Sequence, residues 1–179
     1  MRAPSVPVPW ARLLQPLAIL ALLHAGAIFG FFYAWVCSTM WGLDAADPNV
    51  AIAAMQAMNA SVRNPVFAPA FFGTPAILAA AALVAWKVEE RRGALLFASA
   101  GLLYVIAAMV PTLAINVPLN ETLAALETPL DTAGARDAWQ AYSNPWQFWN
   151  TVRAVAAGGA LLLAGWGVLG MGRAPRALL

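Results

Sequence analysis

Four stretches of this chain, residues 13–36, 67–86, 94–117 and 149–171, are each apolar over the length of a bilayer crossing. About 20 mostly apolar residues suffice for one span. In lipid every backbone N–H and C=O must be satisfied within the protein, so such runs predict helices. Four of them joined by short connections predict an all-α, antiparallel four-helix transmembrane bundle in a single domain, residues 1–179. Composition agrees, with 62% hydrophobic and only 10% charged residues and a mean hydropathy of +0.71. A soluble domain carries roughly 25% charged residues. The first run follows Arg2 and Arg12 as a signal peptide would, but it exceeds the roughly 7–15 apolar residues of such a segment. It is expected to remain as a span.

Charge sets the expected orientation. Arg2 and Arg12 precede the first run, Lys87, Arg91 and Arg92 occupy the second connection, and Arg173 and Arg176 follow the last run. The other two connections hold only Arg63 and Arg136, with six acids: Asp44, Asp47, Glu121, Glu127, Asp131 and Asp137. The positive-inside rule then puts both termini in the cytoplasm, of a bacterial inner membrane. The net charge of +2 is a topology signal and implies no nucleic-acid partner; the expected surroundings are the lipid bilayer. Cys37 is the only cysteine, so no internal disulfide can form and a thiolate metal site lacks ligands. No metal site is expected.

The two outer connections read as structured. Asp47-Pro48 is an N-cap followed by proline at the first helical position, opening a short helix to about Val62 that stops before Pro65. The third connection carries a helical stretch at 122–126, a polar turn at 131–134 and a second short helix at 136–142. Asn144-Pro145 is expected to start the fourth span. Small residues (Ala25, Gly26 and Gly30; Ala156, Gly158, Gly159, Ala160 and Gly165) predict close helix contacts.

Arg153 lies inside the fourth run. A guanidinium there is costly unless it faces a partner or a wet cavity, which makes it a candidate functional residue. Trp139, Tyr142, Trp146, Trp149, Asn150 and Arg153 recur at intervals of one to four residues that fit one helical surface. An inward Arg153 can hold a phenolate, enolate or carboxylate by charge-assisted hydrogen bonds, with Asn150 one turn away. Snorkelling to the headgroups is its structural alternative, and an interfacial belt is the alternative for the tryptophans. Asn116 and Asn120 flank Pro118 where the third run ends, either as helix caps or as amides turned into the same mouth. Asn59 falls on the adjoining face of the first-connection helix. His24, the only histidine, reads either as a buried imidazole with one hydrogen-bond partner or as a proton acceptor. A haem on His24 with Met40, Met55 or Met109 opposite is a further option that nothing specifies.

The pattern Asn116-x-Pro118-x-Asn120, followed by Trp146-x-x-Trp149-Asn150-x-x-Arg153, resembles the anthrone oxygenase-like family of small four-span membrane proteins. So does Met55-Gln56-Ala57-Met58-Asn59 running into Asn64-Pro65-Val66-Phe67. The resemblance covers nearly the whole chain. It implies oxidation of anthrones, fused tricyclic polyketides, to anthraquinones by molecular oxygen, with no added cofactor. Relatives often carry histidine directly after the Trp-Asn pair, where this chain has Thr151.

The expected function is thus a cofactor-independent membrane oxygenase whose partners are a flat phenolic or anthrone-like substrate and O2. Arg153 and Asn150 are its expected catalytic residues, with His24 accepting the proton. Asn59, Asn116, Asn120, Tyr142, Trp146 and Trp149 are expected to bind substrate. The alternatives are a carrier of a lipid-soluble aromatic such as a quinone, and a haem-binding membrane subunit.

Overall fold

A computed structural model describes residues 9–171. The chain is all-helical over these residues, and four helices are long and apolar enough to cross a membrane: Trp10–Asp44, Phe67–Lys87, Arg91–Ala124 and Thr132–Gly170. The protein is an integral membrane protein. Of the charges that set the expected orientation, Arg2, Arg173 and Arg176 lie outside the described residues.

The first span is α1 (Pro9–Ala34), a π turn (Trp35–Thr39) and α2 (Met40–Asp44). Next come α3 (Pro48–Ser61), α4 (Phe67–Lys87) and α5 (Arg91–Tyr104). The third span continues through π turns at Val105–Met109 and Thr112–Asn116 into α6 (Val117–Ala124), and α7 (Thr132–Gly170) completes the bundle. Contacts run α1 to α4, α4 to α5, α5 to α7 and α7 back to α1. Each span therefore packs against its neighbours in chain order, antiparallel, and the ring closes.

Alanines carry most of this packing, among them Ala18, Ala21, Ala81, Ala100, Ala157 and Ala160, all buried. Small side chains let helix backbones approach closely where lipid supplies no hydrophobic drive. Gly158 is a clear case, since a Cβ there would meet the Phe29 ring at 3.0 Å. The expectation fails at Gly26, Gly30 and Gly165, where an added Cβ would find nothing within 4 Å. These three face outward, because the 3.6-residue period turns them off the contact stripe. Outside, Leu23, Leu83, Leu95, Leu102 and Val155 are more than half exposed, an apolar surface that suits lipid.

The first connection folds as its sequence predicts. The Asp47 carboxylate accepts hydrogen bonds from the N–H groups of Asn49 and Val50 and caps α3. The third connection differs. No break occurs at Asn144-Pro145, and α7 runs unbroken for 39 residues from its Asp131 N-cap. Proline 145 removes one backbone donor, which a long helix tolerates when neighbours hold both flanks. Here Asp44 accepts hydrogen bonds from Trp139 Nε1, Ser143 Oγ and Gln147 Nε2, and Asn116 Nδ2 donates to the Trp146 carbonyl. The helical stretch expected at 122–126 is instead the end of α6, continuous with the third span.

Both π turns of the third span have a common cause. Each ends two residues before a proline: Val105–Met109 before Pro111, and Thr112–Asn116 before Pro118. A proline ring crowds the carbonyl one turn back and offers it no N–H, and a widened turn relieves both effects.

Candidate functional site

Above the alanine-packed half of the bundle the helices part around a cavity of about 450 Å³. Small-molecule sites commonly have volumes of roughly 300–1,000 Å³. Met58 and Asn59 of α3, with Val62 and the rest of the turn after it, line one side of the cavity. That helix is held down by buried Ile52 and Met55. Gln56 Nε2 donates to the carbonyls of Leu123 and Leu126 at 2.9 and 3.1 Å, and Asn49 pairs reciprocally with the backbone of Leu130.

One side of the cavity is aromatic. Phe31 lies against Phe67 at 4.7 Å between ring centroids, Phe67 stacks on Phe71 at 5.5 Å, and Trp35 meets Trp146 edge-on at 5.2 Å. All five line the cavity. The other side is polar and comes from the third span and α7. Thr112, Asn116 and Asn120 recur every four residues, one above another on the helix.

Arg153 sits at this polar side, only 4% exposed. Its Nη1 donates to Thr112 Oγ1 at 3.1 Å and its Nη2 to Asn150 Oδ1 at 3.0 Å. The guanidinium carbon lies 4.7 Å from the Phe32 ring centroid and 5.3 Å from that of Trp146. Its Nε has no hydrogen-bond partner among the described residues. All these neighbours are neutral. An ion pair near the cavity mouth, Arg63 to Glu121 at 3.9 Å, is solvent-exposed. A cation buried without a counterion, beside aromatic faces and an open cavity, is an arrangement suited to an anionic ligand.

Asn150 fixes this cation. Its Nδ2 donates to the Phe32 carbonyl at 3.1 Å while its Oδ1 accepts from Arg153, which ties α7 to α1. Asn116 presents a second opportunity: its Nδ2 is used by the Trp146 carbonyl, but its buried Oδ1 has no hydrogen-bond partner among the described residues. The residue lines the cavity, and a ligand hydroxyl is the kind of donor that oxygen lacks.

Of the residues singled out from the sequence, Asn59, Asn116, Asn120, Trp146, Asn150 and Arg153 line the cavity together. Tyr142 does not line it but stands directly behind. Its hydroxyl accepts from Asn59 Nδ2 and donates to Asn120 Oδ1, which also accepts from Trp146 Nε1. The Asn120 carbonyl is therefore spent on holding two aromatic side chains. Trp149 is not brought to the cavity: it is half-buried and packs edge-on against Phe148. His24 is not brought there either. It lies about two turns down α1 from Phe31 and Phe32, against Gly73, and its buried Nδ1 has no hydrogen-bond partner among the described residues. Snorkelling is ruled out for Arg153 by its burial.

Thr112 was not expected. The sign was present, since Thr112 extends the Asn116 and Asn120 pair one turn back at the same four-residue step. Phe31, Phe67 and Phe71 carried no comparable signal in a chain already rich in apolar residues. Among the described residues no group of three or more His, Cys, Asp or Glu is placed to hold a metal ion.

No curated protein matches the chain, and no solved structure matches it. A family model described as anthrone oxygenase matches residues 65–163, which include α4, the polar face of the third span and the Arg153 half of α7. That match takes in more than half of the sequence, and the chain belongs to the anthrone oxygenase family.

Proposed function

We propose that this protein binds a flat, oxygen-bearing aromatic of the anthrone type in the cavity and oxidises it with O2. The observation that carries this reading is Arg153: a buried guanidinium with only neutral partners, facing a cavity walled by aromatic rings. An anthrone loses a proton from its central ring to give an enolate, with negative charge shared between the oxygen and the opposite ring carbon. Arg153 holds that oxygen and lowers the cost of the charge, an effect strengthened by exclusion from water. The electron-rich carbon then gives electrons to O2 and forms a C–O bond. Loss of water leaves a second carbonyl, so one anthrone and one O2 become one anthraquinone and one water. Asn150 positions the guanidinium, the Asn116 oxygen accepts from a substrate hydroxyl, and Trp146 with Phe31 and Phe67 packs on the rings. His24 lies away from this cavity, and the proton leaves to water at the polar rim near Arg63. Charge distribution supports an orientation with both termini in the cytoplasm and the cavity toward the other side.

The test uses purified protein in lipid nanodiscs with a hydroxylated anthrone. Oxygen uptake matched one to one by anthraquinone, and lost in Arg153→Met, supports the reading. An anthrone oxidised equally fast by both proteins would rule it out. A second reading, a carrier for a quinone-like aromatic, draws on the lack of any histidine or carboxylate among the cavity-lining residues. Tight binding of an anthraquinone with no oxygen uptake would select it.

A further inference from the structure

The route into the cavity is written in how the second and third spans diverge. α4 packs along α5 as far as Tyr104, whose hydroxyl donates to the Phe71 carbonyl at 3.0 Å. Beyond that bond the third span passes through its two π turns and packs on α7 and α3 rather than on α4. A wedge is left between α4 and the upper third span, and the cavity lies behind it.

Two residues show that the wedge reaches the outer surface of the bundle. Phe72 is 54% exposed and Leu113 is 52% exposed, yet both line the cavity. Each belongs to a membrane-spanning helix. A side chain that is both cavity wall and outer surface marks a wall one residue thick. Such a wall, within a span, faces acyl chains. The alternative entrance is the polar rim at the 62–66 turn, where Arg63 reaches across to Glu121 on α6. That pair bridges the rim, whereas among the described residues no hydrogen bond, ion pair or ring contact joins Phe72 to Leu113.

We infer that Phe72 and Leu113 frame a lateral portal through which a bilayer-dissolved aromatic passes directly from the lipid into the cavity. The inference rests on the reading of the cavity as an aromatic-substrate site. Transfer of a fused-ring substrate's apolar surface from water to lipid is favourable, so it concentrates in the membrane before it meets the protein. Lateral entry lets it reach the aromatic wall without returning to water, and leaves its oxygen to meet Arg153 last.

The portal can be tested without turnover, by reaction of a thiol inside the cavity. In a Cys37→Ser background, Thr112→Cys puts the sole thiol beside the Arg153 guanidinium. The protein in nanodiscs is treated with pyrenyl maleimide, which partitions into lipid, or with a sulfonated maleimide, which stays in water. The lipid-soluble reagent is expected to label at least tenfold faster. Adding Phe72→Trp and Leu113→Trp together should slow that labelling at least fivefold, whereas Glu121→Ala at the rim should change it less than twofold. Equal labelling of all variants after denaturation shows that the thiol itself is intact. Labelling that ignores both tryptophans, or that is as fast with the sulfonated reagent, overturns the portal. Labelling through the wedge by a protein that oxidises no anthrone keeps the portal and removes the oxygenase reading.

Discussion

Arg153 carries the account at the scale of single residues, and its energetics give a sharp expectation. Leaving a charge buried among neutral groups costs stability, and replacing it with an apolar side chain of similar shape is often neutral or stabilising. Arg153→Met should therefore unfold at the same temperature as the parent or higher, while anthrone oxidation falls about 100-fold, the scale of losing one charge-stabilising group. Thermal unfolding and initial rates on one preparation check both halves. If stability fell with activity, the guanidinium would be a structural element. Thr112→Val removes an acceptor from the same cation; a hydrogen bond to a charged group contributes about 1.5–3 kcal/mol. A rate loss of about tenfold or more is expected, with little change in substrate affinity.

Much of this polar cluster could be read from the chain itself. An arginine and an asparagine one turn apart in a bilayer-length run must find partners inward, and they do. His24 was equally conspicuous but does not reach the cavity, because distance along α1 separates it from the residues that do. Trp149 shows the same limit. Helical spacing put it on the broad surface of α7 that Trp146 shares, but only contact with α1 and the third span selects which of the two faces inward.

At the scale of elements, the π turns of the third span position the site. A widened turn rotates every residue after it relative to a regular helix, so Pro118 helps aim Asn116 and Asn120 as much as it bends the chain. Pro118→Ala restores the missing donor and favours a regular turn. The variant should fold at least as stably as the parent yet oxidise anthrone at a rate lower by about tenfold, measured by anthraquinone absorbance. The turn between α4 and α5 makes a prediction for stability alone. Glu89 adopts a φ of 66°, and the N–H of Glu90 reaches the Ala85 carbonyl while that of Glu89 reaches Trp86. This is the left-handed helix end that glycine fills without strain. Glu89→Gly should raise the unfolding temperature, by up to about 1 kcal/mol of stability, and leave oxidation unchanged.

The element boundaries were less legible than the elements. Asp47-Pro48 announced α3 correctly because capping is local. Asn144-Pro145 has the same local signature but lies inside α7. There the anchoring of α7 on Asp44 and Asn116 outweighs the proline, and no local pattern carries that information.

Across the whole molecule, the bundle divides into a half sealed by alanine and a half opened around a cavity. The sealed half gives the ring of spans its rigidity, and the open half gives it a site. The cavity-lining polar residues of the third and fourth spans share the open end: Thr112, Asn116, Asn150 and Arg153 lie above the level at which Tyr104 ties the third span to Phe71, whereas His24 and Thr74 do not line the cavity. Tyr104→Phe would cut that tie and should loosen the wedge between α4 and the third span. Faster labelling of the Thr112→Cys thiol by pyrenyl maleimide, by about twofold or more, is the expected outcome.

The most direct measurement is the visible spectrum of a hydroxylated anthrone bound to the protein in nanodiscs at neutral pH without oxygen. The account predicts the band of the deprotonated ligand with the parent protein and the neutral band with Arg153→Met. A neutral spectrum with both proteins, or a deprotonated one with both, would contradict the claim that this buried cation stabilises the substrate anion.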